Sequence, residues 1–280
     1  MNINNIGLAA FYQCALKQNM TQASVILGVT QSALSQRISA LEDDLETSLF
    51  IREGKNLKLT PAGIELLNYC HSQMSLENEL LSKIKGNSDE IAGVIRIGAF
   101  SSVMRSLIIP QCSDFLRKHP KVSAEFKSYE MSELYESLKS GKADIIITDY
   151  HLAKKGIIET VIGQEEYVVI ESSKYKTPTD LYLDHTPDDQ ATSDFFAHQT
   201  TAPKNYRRSF FGDIYGIIDG VEQGIGRAVM SKHLIEDNKK IKIVTGFKKY
   251  QRPIVLSYFE RPYYPNLFKS ILAKLTKKEI

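Results

Sequence analysis

Cysteine is scarce: Cys14, Cys70 and Cys112 are the only three in 280 residues. They are odd in number, lie far apart and never form C-x-x-C. That excludes a disulfide framework and a cysteine zinc site, and it points to a reducing cytoplasm. Long apolar runs are missing as well, and nothing approaches the ~18 residues that a membrane span needs. The short stretch Leu8–Tyr12 has no Lys or Arg before it and is broken by Gln13 and Lys17, so it does not read as a signal peptide. With 9 prolines and 16 glycines the chain is neither collagen-like nor a low-complexity linker. An excess of one charge is also lacking, since the formal net charge is +2. Residues 1–87 hold 7 Lys/Arg against 8 Asp/Glu, and the remainder 28 against 25. Neither part is a polybasic arm, so a nucleic-acid reading must rest on where the basic residues sit.

What is present is the composition of a globular chain, 42% hydrophobic and 24% charged, long enough for about two domains. Residues 3–18 place Ile3, Ile6, Ala10 and Cys14 on one helical face, with Phe11 beside them. Thr21 is expected to cap a short helix over Gln22–Leu27, which Gly28 ends. Thr30 is expected to cap a third helix from Gln31 to Asp44. Two helices joined by a tight turn containing glycine make a helix-turn-helix, with Ala23, Leu27, Val29, Leu34 and Ile38 at its packing positions. The third helix opens with Gln31, Ser32, Ser35, Gln36 and Arg37. These short or forked hydrogen-bonding side chains suit base edges and phosphates in a major groove. With Thr21 and Thr30 beside them, they are the candidate DNA contacts. Leu49–Arg52 and Leu57–Leu59 flank a Gly/Asn turn and predict a β-wing whose basic residues are Arg52, Lys55 and Lys58.

Thr60-Pro61 has the form of a cap followed by proline in the first turn, and no breaker follows before Lys85-Gly86. At 1.5 Å per residue these ~25 residues span roughly 38 Å, too long for one small domain. Leu67, Cys70, Met74, Leu81 and Ile84 form one apolar row; Leu66, Tyr69, Leu76 and Leu80 form another. Two rows need more partner surface than one neighbour supplies, which predicts a dimer seam through Leu67, Met74, Leu81 and Ile84. The alternative is a core helix of the following domain.

Asn87–Glu90 is a polar break and the best domain boundary. Beyond it strands and helices alternate: strand Val94–Ala99, helix Ser102–Arg117, strand Val122–Phe126, helix Glu133–Ser140, strand Asp144–Thr148. Short strands follow at Ile157–Ile162 and Tyr167–Ile170, then a polar helix near Asp188–Ala197. A strand near Tyr206–Phe210, a helix Ile214–Gln223 and strands at Arg227–Met230, Ile241–Val244 and Ile254–Phe259 lead to a closing helix Pro265–Leu275. Such alternation predicts parallel sheets with helices on both faces, in two lobes.

The run Thr30–Glu42, with Leu49–Arg52, Leu57–Thr60 and Ala62-Gly63, resembles the LysR-type transcriptional regulators. The likeness follows the whole chain in order, and in the later part includes Ser101-Ser102 and the run Leu138, Gly141, Asp144–Ile147. The usual proline near the start of the recognition helix is replaced by Gln31-Ser32-Ala33, as in the subgroup that senses basic amino acids. The resemblance implies an α+β and α/β chain: a winged helix-turn-helix over residues 1–59, a dimerising linker helix over 60–86, and a two-lobed effector domain like periplasmic binding proteins. Lobe I would comprise 92–164 and 246–280, and lobe II 165–245. It also implies dyad-symmetric double-stranded DNA, a small-molecule effector, a dimer or tetramer of the same chain, and RNA polymerase as a further partner. No cofactor, metal or membrane is expected. An effector closing the cleft would change how the assembled protein bends DNA, a coupling of typically ~1–3 kcal/mol.

Ser101 and Ser102 follow a strand and start a helix, which gathers hydroxyls and free N–H groups at a positive dipole end. Plain N-capping accounts for them equally well from the residues alone. The resemblance favours effector binding there, with Ser132 and Thr148 converging on the same cleft and the effector carrying a carboxylate. An enzyme is the rival from a different class. Against it, the six histidines (71, 119, 151, 185, 198, 233) show no metal spacing, Ser101 is in no G-x-S-x-G elbow, and Gly220, Gly224 and Gly226 follow a helix rather than a strand. Another winged-helix family is the closer rival.

Overall fold

The computed structural model describes residues 4–53, 56–84, 91–201, 203 and 205–277. Three helices open the chain: α1 (Asn5–Lys17), α2 (Met20–Leu27) and α3 (Gln31–Asp44). Asn19, not Thr21, caps α2: its Oδ1 accepts from Gln22 N at 3.1 Å, two residues earlier than predicted. Asn and Thr cap by the same chemistry, and the chain enters the helix at the first one available. Gly28 has φ +63°, the left-handed turn that joins α2 to α3 without a Cβ penalty. The wing is an antiparallel pair, β1 (Phe50–Glu53) and β2 (Asn56–Leu59), with Phe50 opposite Leu59. Phe11, Leu34, Leu41 and Leu49 fill the core of this unit.

Linker helix α4 runs over Pro61–Ile84. Thr60 caps it, its Oγ1 accepting from Gly63 N at 3.0 Å and donating to Ser48 O at 2.7 Å. The polar boundary expected at 87–90 lies outside the described residues.

The remaining chain builds a seven-stranded mixed sheet that runs through both lobes, and beside it a two-stranded parallel pair in lobe II. β3 (Gly93–Ala99) lies between parallel neighbours β4 (Val122–Ser128) and β5 (Ile145–Thr148). Two long strands then run antiparallel, β6 (Ile157–Ser172) and β11 (Tyr250–Phe259). β11 pairs with β5 through Val255–Ser257, whereas β6 pairs with β9 (Ala228–Ser231) and β10 (Ile241–Ile243) through its far half. The β6/β11 ribbon therefore crosses from lobe I to lobe II. The two short strands expected at 157–162 and 167–170 are one strand, because the polar stretch Gly163–Glu166 stays paired to β11. Sequence patterning reads that stretch as a break; the ladder continues because backbone pairing is indifferent to side-chain polarity.

In lobe I the sheet is covered by a helical run and by α10 (Asn266–Thr276), while α7 (Met131–Lys139) covers its other face. The helical run comprises α5 (Ser101–Val103), a π turn (Met104–Ile108) and α6 (Ile109–Lys118). Pro110 stands just past the π turn, where a regular helix would press its ring on the carbonyl four residues back, and the wider turn relieves that clash. Lobe II contains β7 (Leu181–Asp184), absent from the sequence reading, parallel to β8 (Arg207–Phe210). The polar helix near 188 is shorter than expected, α8 (Ala191–Ala197), and α9 (Ile214–Glu222) packs beside Leu183 and Met230.

Candidate functional site

The exposed edge of the N-terminal unit is built by α3. Leu34, Ile38 and Leu41 turn inward, Gln31, Ser32 and Gln36 stand in solvent, and Ser35 and Arg37 are half-buried. Thr30 Oγ1 accepts from Ala33 N at 3.2 Å and lies 3.0 Å from Ser32 Oγ. Thr21 Oγ1 donates to Gln31 Oε1 at 3.4 Å, tying the start of α2 to the first turn of α3. Glu42, which the sequence reading gave no role, holds the wing: its Oε1 accepts from Leu49 N at 2.6 Å and Phe50 N at 3.3 Å. Lys58 is exposed on β2, Arg52 belongs to β1, and Lys55 lies outside the described residues. One helix and a two-stranded ribbon thus present hydrogen-bonding groups side by side, the shape that enters a major groove and straddles its phosphates.

A second concentration of polar groups lies between the lobes. Ser101 and Ser102 follow β3, and Thr148 ends β5, so all three reach the same edge of the lobe I sheet. Ser132 is exposed in the first turn of α7. Phe100 takes the cap position of α5 and no side chain caps it, so plain capping by a serine does not occur here. Ser102 is buried, and its hydroxyl donates to Glu165 Oε1 at 3.3 Å. Thr148 is fully buried, and its hydroxyl donates to Tyr150 O at 2.7 Å.

Glu165, in the middle of β6, is the hub. Ser102 from lobe I and Ser231 from lobe II both donate to its Oε1, and Tyr167 donates to its Oε2 at 3.1 Å. Burial lifts its carboxyl above the usual carboxylate range, against the pull of the three hydroxyls. Arg252 on β11 reaches both sides, donating to Asp149 of lobe I and to Asp194 on α8 of lobe II. Ser106 and His233 Nε2 add a 2.9 Å contact, and Arg105 lies over the Tyr215 ring at 4.3 Å. Sequence reading missed Asp149, Glu165, Asp194, Ser231 and Arg252. Glu165 sat in the apparent break of β6, and nothing in the chain order places Asp149, Asp194 and Arg252 together.

Linker helix α4 departs from the expected seam at one position. Leu67 is 1% exposed and packs in the N-terminal core with Leu66 and Cys70, so it cannot line a contact with another chain. Met74, Leu81 and Ile84 are 46%, 50% and 71% exposed, and Tyr69, Leu76 and Leu80 are open as well. Lobe I rests against α4. Gly141, at φ +65°, comes so close that a Cβ there would stand 2.7 Å from Leu67 Cδ2. Arg261 Nη2 donates to Asn68 Oδ1 at 3.1 Å, and Glu79 accepts from Tyr263 Oη at 2.7 Å and Asn266 N at 2.6 Å. Among the described residues, no helix is long and apolar enough to cross a membrane.

Both halves of this architecture have known counterparts. Residues 7–64 match the bacterial regulatory helix-turn-helix protein, lysR family, and residues 88–277 match the LysR substrate binding domain. The chain is 25% identical over 244 residues to the HTH-type transcriptional regulator YofA of Bacillus subtilis, covering 83% of this chain and 82% of that one. Its fold is similar to the crystal structure of ArgP from Mycobacterium tuberculosis, with TM-score 0.78, 18% identity and 98% and 97% of the two chains covered. It is also similar to full-length LysG from Corynebacterium glutamicum with bound effector Arg, with TM-score 0.73, 16% identity and 98% and 96% covered. A helix-turn-helix unit joined by a long helix to a two-lobed α/β domain thus matches both family models in order, and this chain belongs to the LysR family of DNA-binding transcriptional regulators with an effector-binding domain.

Proposed function

We propose that this regulator reads DNA with Gln31, Ser32, Ser35, Gln36 and Arg37, steadied on phosphates by Thr21, Thr30, Arg52, Lys55 and Lys58. Two copies, joined through Met74, Leu81 and Ile84 of α4 with Tyr69, Leu76 and Leu80 alongside, present two such edges to a dyad-symmetric site. Those open apolar side chains on one helix support the pairing. A pair of dimers bending the DNA, and contact with RNA polymerase, follow the plan of the family, as does a place in the cytoplasm.

The effector, on this reading, enters between the lobes and carries a carboxylate, received at Ser101 and the uncapped first turn of α5. Ser102, Ser132 and Thr148 frame that end of the cleft. The observation that carries the reading is that Arg252 and Glu165 each take partners from both lobes. Small changes there alter how the lobes close. The acidic groups Asp149, Glu165 and Asp194 suit a cationic group on the same molecule, and the bound Arg of LysG supports an amino-acid-like effector.

The test is a metabolite screen by thermal shift, followed by calorimetry and by binding of the protein to its own upstream DNA. A carboxylate that binds wild type and binds Ser101→Ala at least tenfold more weakly, with DNA affinity of the ligand-free variant unchanged, is the expected result. Equal affinity for both proteins removes Ser101 from the site. Loss of DNA binding in the ligand-free variant makes it a structural residue.

A further inference from the structure

Lobe I meets the linker helix and Tyr12 of α1 across a cavity of about 110 Å³, at the end of β3 away from Ser101 and Ser102. That is well above the ~10–15 Å³ that one water requires. Its polar wall is unevenly charged. Asp144 contributes the one carboxylate, and that carboxylate is already engaged. It accepts from Arg96 N at 2.9 Å and stands 3.7 Å from Arg96 Nη1 and 3.9 Å from His71 Nδ1. Arg96 also reaches Glu125 at 3.3 Å, on the solvent side of the sheet edge. Burial holds His71 near pKa 4, so it is neutral at pH 7 and adds no positive charge.

Arg261 is the second guanidinium on this wall, and its situation differs. Its side chain donates to the neutral Asn68 Oδ1, and among the described residues no carboxylate lies within 4.0 Å of it. Burial pushes its pKa down against the pull of Asp144, which acts on it from beyond ion-pair distance. A buried charge left without a partner is costly, and an anion beside it removes much of that cost. The rest of the lining is largely apolar and includes Met74 from α4 and Phe268 from α10.

We propose that this junction cavity is a binding site for a small monocarboxylate, held by the Arg261 guanidinium with its short apolar tail against Met74 and Phe268. A guanidinium fork matches a carboxylate in two parallel hydrogen bonds. A phosphate dianion would overcompensate the single guanidinium of Arg261 and leave oxygens against an apolar wall. Because Arg261 belongs to lobe I and its neighbours Asn68, His71 and Met74 to α4, an occupied cavity ties the effector domain to the linker helix. The site is independent of the interlobe effector.

Propionate, titrated into the full-length protein at constant ionic strength against a chloride control, is the probe. Wild type is expected to show a saturable rise in Tm, absent with propionamide. Arg261→Gln should weaken the apparent affinity at least tenfold, and Ser101→Ala should leave it unchanged. The sequence contains no tryptophan, so Tyr12→Trp places a unique fluorophore on the cavity wall while Arg261 stays intact. Its emission should shift with propionate and not with propionamide, which keeps the test valid if Arg261→Gln folds poorly. A Tm response in Arg261→Gln equal to wild type, a silent Tyr12→Trp, or an affinity lowered equally by Ser101→Ala overturns the site. A stronger response to phosphate than to propionate overturns the monocarboxylate assignment.

Discussion

At the scale of single residues, position on α3 separates two kinds of polar side chain. Gln36 is exposed two residues after the buried Leu34 and two before the buried Ile38, so it can change without disturbing the core. Gln36→Ala is expected to cost about 1–3 kcal/mol at the specific DNA site and little elsewhere. Lys58 is exposed on the wing, which the proposed function sets against phosphates. Lys58→Ala should weaken binding to all sequences alike and lower the slope of log K against log salt by about one. Fluorescence anisotropy with operator and random duplexes at several salt concentrations checks both. If the two substitutions act identically on both duplexes, the division into base-reading and backbone-holding groups fails. Glu42 is polar for another reason: it occupies the two backbone donors that root the wing.

At the scale of elements, α4 is one helix with two occupations. Its first turns bury Leu66, Leu67 and Cys70 in the N-terminal core, and its later turns keep Leu80, Leu81 and Ile84 in the open. The periodicity legible in the sequence runs evenly through both parts, since a buried leucine and an exposed one leave the same mark on a helical wheel. Two substitutions separate the occupations. Leu80→Lys with Leu81→Lys is expected to yield folded monomers that bind a dyad site weakly, because the second half-site no longer adds to the first. Leu67→Ala should leave the assembly state alone and reduce stability by about 2–5 kcal/mol, the usual cost of emptying a buried leucine site. Light scattering and denaturant unfolding report these outcomes. A dimeric mass for the double variant refutes the seam.

At the scale of the whole molecule, the junction of α4 and lobe I makes stability depend on pH. His71 lies between the two, and burial holds its folded pKa near 4, below an unfolded value near 6.5. Asp144 favours the protonated ring, whereas Arg261 and Arg96 oppose it. Between those two values the unfolded chain binds a proton that the folded chain refuses. Stability is therefore full above pH 6.5, declines as pH falls, and by pH 4 has lost up to roughly 3 kcal/mol. His71→Phe is expected to flatten that decline while the remaining acid titration persists. Urea unfolding at half-unit steps from pH 7 to pH 4 measures it, and an equally steep decline in the variant assigns the pH dependence to other groups.

Local and contiguous features are legible along the chain alone. Caps such as Thr30 and Thr60, the glycine turn at Gly28, the inward rows of α3 and the strands of lobe I follow from forces that act within a few residues. The family signature lies in one unbroken run for the same reason. Tertiary structure decided whatever depends on which segments meet. Glu165 looked like a loop residue until β11 kept β6 continuous through it, and Arg252 gains meaning only when the ribbon places it between Asp149 and Asp194. Leu67 and Leu81 are alike in sequence, and the arrival of the N-terminal core at one end of α4 made them different. Burial and charge pairing are properties of neighbours in space, and neighbours separated by a hundred residues leave no period or spacing in the chain to read.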